Sequence, residues 1–178
     1  MNTKKIILLI TTIITLASLY GIYLIRENHQ FGRELYYAVN RTELQSRALS
    51  ESIGFLEQRF ADPDWRNKDI TTHSFEAAIQ DVYLHFGGDM PLIREVSDEW
   101  YARFKEIYEQ IVNKGPYAAE KVFLEKADEL SDLRIQLENM TNCLCEFRER
   151  YDQLSEWERY FVFWKEEQKI LSEKVRLR

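Results

Sequence analysis

The chain has 178 residues, with 24 basic and 30 acidic side chains and a net charge of −6. Setting aside Lys4 and Lys5 leaves 22 basic against 30 acidic residues, net −8, which excludes the basic footprint that nucleic acid requires and argues against electrostatic binding to anionic lipid. An aromatic content of 13% without low-complexity runs points to a folded body rather than a disordered one.

Residues 1–5 make a short tail. From Ile6 to Ile25 twenty consecutive residues are uncharged, and Arg26 ends the run. A helix of that length spans about 30 Å, the thickness of a bilayer's hydrocarbon core. A cleaved secretory signal has an apolar stretch of roughly 7–15 residues. Cutting at the one small-residue site, near Leu16-Ala17-Ser18, would leave LYGIYLI as an apolar new terminus. The reading is therefore a retained anchor over 6–25, with Tyr20 and Tyr23 suited to an interfacial aromatic belt. Lys4 and Lys5 lie directly against the apolar run, whereas Arg26, Arg33 and Arg41 are spread along the other side. The expected orientation is tail in the cytoplasm and body outside, as a single-pass membrane protein.

Within the span, Thr11, Thr15 and Ser18 share one helical face, and Ala17 and Gly21 form a small-xxx-small pair nearby. Such residues let helices approach closely in lipid, which makes Thr11, Thr15, Ser18 and Gly21 candidates for self-association into a homo-oligomer. The alternative is that each hydroxyl bonds a backbone carbonyl of its own helix, one turn back.

Residues 26–178 are expected to form one body of about domain size. Six glycines and three prolines interrupt the chain, and no strand or hairpin signal is present, so the fold class is all-α. Leu35, Val39, Thr42, Ser46, Leu49, Ile53, Leu56 and Phe60 recur at helical spacing, and only Gly32 interrupts the path from the span into this helix. A loop is expected at ADPDWRNKD and a second helix from about Thr72 to Phe86. A third, capped by Asp89, would bury Ile93, Val96, Trp100, Phe104, Ile107 and Ile111 and stop at Asn113-Lys114-Gly115-Pro116.

No breaker follows Pro116. Leu130, Leu133, Leu137, Met140, Leu144, Phe147, Tyr151 and Leu154 keep a heptad spacing, which favours one long coiled-coil-like helix over Tyr117–Arg178, antiparallel to the first in a helical bundle. A turn near Asn139–Asn142 is the alternative. After Leu154 the seam steps by three again, to Trp157, then to Phe161, Trp164, Leu171 and Val175.

Signatures of catalysis are absent: there is no G-x-S-x-G, HExxH, P-loop or dinucleotide fingerprint. Of the histidines, only His85 has a helical partner, Asp81, which is too few ligands for a metal. Asp62-Pro63-Asp64 lacks the glycine and glutamate of a calcium loop. Cys143 and Cys145 point about 200° apart on a helix and cannot bridge each other, so they read as structural thiols. No enzyme activity, metal or cofactor is expected.

The densest feature is WERYFVFW. Trp157, Phe161 and Trp164 fall on the seam and are expected in the core, while Tyr160 and Phe163 point elsewhere. A helix apolar on several faces implies burial, a partner or a membrane surface, so Tyr160, Phe163 and Trp164 are the candidate contact residues. The expected function is a non-catalytic interaction or scaffold subunit that meets the membrane and a protein partner. The competing reading is an extracytoplasmic small-ligand-binding, sensor-like domain with a pocket among Trp100, Phe104 and Tyr108.

Overall fold

The computed structural model describes residues 3–61, 90–114 and 127–175, and all regular structure there is helical. The expected helix over Thr72–Phe86, the loop before it, His73, His85 and the Asp62-Pro63-Asp64 turn lie outside those residues.

α1 runs from Thr3 to Ala61 without a break. Its apolar opening is long enough to cross a membrane, and none of the most apolar stretch is buried. Gly32 does not end the helix. Past it the expected face is enclosed: Leu35, Val39, Thr42, Ser46, Leu49, Ile53 and Leu56 are all buried. α2, Arg94–Lys114, starts later than an Asp89 cap implies. Residues 90–93 instead form a turn in which the Ile93 N–H donates to the Met90 carbonyl at 3.1 Å. Met90, Ile93 and Phe104 join the core, and Trp100 packs on it half-buried.

α3, Ala127–Gln153, carries the heptad seam, and Leu130, Leu133, Leu137, Met140, Leu144, Phe147 and Tyr151 are all buried. No turn occurs at Asn139–Asn142. Cross-helix pairs give the direction: Glu57 meets Arg134, Ser50 meets Glu138, Glu43 meets Arg148 and Tyr36 stacks on Tyr151. Numbers fall on α1 as they rise on α3, so this pair of helices runs in opposite directions.

The single helix expected through Arg178 is not formed. The chain breaks at Leu154–Ser155 and again at Val162–Phe163, giving α4, Glu156–Phe161, and α5, Trp164–Lys174. Ser155 starts α4 with a capping box: the Glu158 N–H donates to its hydroxyl, and Glu158 accepts from the Ser155 N–H at 2.8 Å. A cap of this kind satisfies backbone donors that a continuing helix would have used for itself, so a helix start replaces a helix interior. These bonds, first from the Ser155 hydroxyl, hold the Glu158 carboxyl below its usual range. The contact is therefore fully present above the ordinary carboxylate pKa and is lost as pH falls through the lowered one.

One carboxylate sits inside the helix pair. Glu43 is 0% exposed; its Oε1 accepts from Arg47 at 2.9 Å and from Arg148 at 3.0 Å. Its Oε2 lies 2.8 Å from the same Arg148 nitrogen, an ionic contact without a hydrogen bond of its own. A desolvated carboxylate is tolerated only when paired, and Arg148 supplies that pairing across the helix contact. Cys145 is half-buried beside it, 3.5 Å from both Arg148 and Glu149. Burial, and then the neighbouring carboxylates, push its thiol pKa up.

Two substitutions separate seam from surface. Leu144→Ala is expected to cost about 2–5 kcal/mol, against a change within about 0.5 kcal/mol for exposed Glu146→Ala, measured by denaturant unfolding in detergent. Arg148→Met is expected to cost about 2–3 kcal/mol, because it leaves Glu43 with Arg47 alone. Arg47→Met, on the solvent side, should cost clearly less.

Candidate functional site

The aromatic cluster folds differently from the seam reading. Trp157 and Phe161 are not core: they are 73% and 65% exposed. The break at Ser155 is the reason. A new helix starts there with its own phase, so the face that continued the heptad on paper is turned outward. Tyr160 becomes the inward residue of α4, half-buried with its ring stacked on His29 at 3.9 Å. Phe163, between α4 and α5, is 73% exposed. Trp164 returns to the core, fully enclosed against Phe147 and Tyr151. Of the three candidate contact residues, then, Phe163 is open, Tyr160 is half-covered and Trp164 faces inward.

Asn28 and Gly32 join the His29 stack in fixing this turn to α1. The Asn28 amide donates to the Val162 carbonyl at 2.7 Å and to the Tyr160 carbonyl at 3.4 Å, taking up acceptors that a helix end leaves free. The Trp164 indole N–H donates to the Arg159 carbonyl at 2.8 Å. The same indole lies flat on Gly32, where a Cβ would overlap it. Gly32 is therefore the seat of Trp164, not a hinge. The Arg159 guanidinium lies 4.5 Å above the Tyr151 ring, on the other side of the cluster. Burial raises the Tyr151 phenol pKa, and burial followed by a hydrogen bond to Asp152 raises that of Tyr36. Both phenols stay neutral and act as packing surfaces.

A groove of about 500 Å³ opens beside the turn, lined by Arg26, His29, Arg33, Tyr37 and Tyr160 among others. A second, about 480 Å³, is lined by Tyr23, Leu24, Phe31 and Lys165. Among the described residues no group of histidine, cysteine or acidic side chains is placed to hold a metal ion. For the sensor-like reading, Phe104 is fully enclosed and lies 6.2 Å from the Trp100 ring, while the Tyr108 side chain lies outside the described residues.

The candidate residues of the apolar segment show local bonding. The Thr11 hydroxyl donates to the Ile7 carbonyl at 2.8 Å, and the Thr15 hydroxyl donates to the Thr11 carbonyl at 2.9 Å. Ser18 is exposed on the same helix, and a Cβ on Gly21 would meet nothing within 4 Å.

No protein-family model matches the chain, and no curated protein or solved structure matches it either.

The sequence reading missed Asn28 and Gly32 as parts of the site. Nothing local marks them, since both act on residues more than 130 positions away. The S-x-x-E pattern at Ser155 was the one readable sign of a break.

The glycines of α1 provide a direct test. In an ordinary helix interior Gly→Ala gains about 1 kcal/mol. Gly54→Ala should show that gain, because its Cβ would meet only the Arg134 side chain at an ordinary 3.5 Å. Gly32→Ala should reverse the sign and cost about 1–3 kcal/mol, because the indole must move. Thermal unfolding in detergent, with near-ultraviolet circular dichroism following Trp164, distinguishes the two.

Proposed function

We propose that the chain is a single-pass membrane protein whose acidic helical body acts as a non-catalytic interaction or scaffold subunit at the membrane surface. The observation that carries this reading is the continuity of α1, in which the exposed apolar segment and the core-forming segment belong to one helix. A body attached in this way has its distance from the bilayer fixed by the helix rather than by a linker. The short tail with Lys4 and Lys5 supports a cytoplasmic N-terminus and a body outside. The α1–α3 pair, with its heptad seam, supports an antiparallel, coiled-coil-like bundle. Contact is made through the exposed rings beside α1, with Phe163 and part of Tyr160 outward and Trp164 holding the turn in place. The face of Thr11, Thr15 and Ser18, with Gly21 about a quarter-turn away, is the surface through which two spans would associate.

The full-length chain is expected to stay in the pellet on alkaline carbonate extraction, and externally added protease should reach the body in intact cells or spheroplasts. Release by carbonate would overturn the anchor, and protection of the body would reverse the orientation. Phe163→Ala should leave the melting temperature unchanged, whereas Trp164→Ala should cost about 3–5 kcal/mol, read by thermal unfolding. Equal losses at both would place Phe163 in the core and remove it from any contact surface.

A further inference from the structure

Among the described residues of the body, the turn between α4 and α5 lies against α1 next to the apolar segment. α3 descends along α1, from Arg134 beside Glu57 to Tyr151 beside Tyr36. α4 continues the descent to Tyr160, which is stacked on His29, and to Val162, which is held by Asn28. α5 then turns back, bringing Glu167 to Arg150 and Trp164 to Phe147. Asn28 is three residues beyond Ile25, the last residue of the apolar run, a rise of about 4.5 Å along the helix. The headgroup layer extends roughly 5–7 Å beyond the hydrocarbon on each side. The turn therefore lies at headgroup depth once α1 spans a bilayer.

On α4 and the turn that follows it Trp157, Phe161 and Phe163 are all largely exposed. Three such rings within seven residues leave apolar surface that water penalises, whereas the membrane–water interface favours aromatic side chains. The start of α5 also comes down beside the span, because one cavity is lined by both Tyr23 and Leu24 of the last apolar turn and by Lys165 of α5.

We infer that the α4–α5 turn is a second membrane contact, with Trp157, Phe161 and Phe163 seated in the headgroup layer of the leaflet that α1 leaves. The occupant is the lipid interface rather than a protein. This rests on the anchored reading above and adds to it a body held down on the bilayer instead of standing clear of it. Charge does not drive the contact. The body is acidic, and Arg26 and Lys165 have Glu27 and Glu34 beside them in the sequence or the groove. Ring burial accounts for it, so the contact is insensitive to salt and is made on zwitterionic lipid.

The test uses the full chain reconstituted into phosphatidylcholine vesicles whose acyl chains carry bromine at a shallow or a deep position. Tryptophan emission is compared between the wild type and Trp157→Phe, a variant of an exposed residue that keeps the fold. Shallow bromine should quench the wild type more strongly than deep bromine, and Trp157→Phe should lose that component at both low and high salt. Phe161→Ser combined with Phe163→Ser should reduce the Trp157 component while leaving the melting temperature in place. Equal quenching of wild type and Trp157→Phe, in a chain that still resists carbonate, would overturn the inference alone and leave the ring surface facing water or a protein. Quenching that needs anionic lipid and disappears at high salt would overturn it in favour of electrostatic adsorption. Release of the chain by carbonate would overturn the anchor as well.

Discussion

Everything else in this structure depends on the uninterrupted hydrogen-bond ladder of α1. A helix that runs from Thr3 to Ala61 transmits its register, so the angle and height of each residue in the body are set relative to each residue of the apolar segment. Along that one rod the environment changes in order. None of the most apolar stretch is buried, Asn28 and Gly32 receive the α4–α5 turn, and the face from Leu35 to Leu56 is buried against α3 and its neighbours. The break-free stretch across Gly32 is what makes the sequence of environments rigid. Gly32 is tolerated in the helix because the Trp164 indole fills the place of its missing side chain.

The two faces of the helix pair were legible because they obey simple periods. Every seam position from Leu130 to Tyr151 is buried, as is the α1 face from Leu35 to Leu56, since a 3.6-residue period and burial are two descriptions of the same stripe. The chain breaks after Tyr151 were not legible from the absence of glycine and proline. A helix also ends where another set of partners satisfies its backbone better, and here two partners are local and one is distant. Ser155 and Glu158 are visible in the sequence as a capping box and the Trp164 indole reaches the Arg159 carbonyl five residues back, but Asn28 acts on carbonyls that only the tertiary fold brings near it. Once α4 starts with its own phase, extrapolating the heptad misassigns Trp157 and Phe161, while Trp164, Leu171 and Val175 still reach the core by way of α5.

Glu43 was missed for a related reason. Its neighbours Thr42 and Ser46 fit the inner stripe, while a carboxylate reads as the polar edge of that stripe. It is buried because Arg148 approaches from α3 and Arg47 from one turn along α1. Such a pair adds little net stability over an apolar one, but it penalises any shift between the helices, because sliding α3 by one turn would strand the carboxylate without its partner. By contrast, the half-exposed Glu57–Arg134–Glu138 group lies in higher dielectric and contributes about 0–1 kcal/mol per pair, too little to set register. The buried carboxylate and the Gly32–Trp164 contact are thus two places where a slip is costly, one at the middle of the helix pair and one at the end nearer the apolar segment.

These two locks determine what the exposed rings can do. With α3 held by Glu43 and α5 held on Gly32, the turn between them has no freedom to retract its aromatic side chains into the core, where Phe147, Tyr151 and Trp164 already occupy the space. The apolar surface is therefore a consequence of how the core closes, not of an unfinished one. Its distance from the apolar segment is fixed by the three-residue step from Ile25 to Asn28. A rigid rod, a filled core and a short spacing together leave the α4–α5 turn just beyond the apolar run, where an anchored chain offers its exposed rings the headgroup layer.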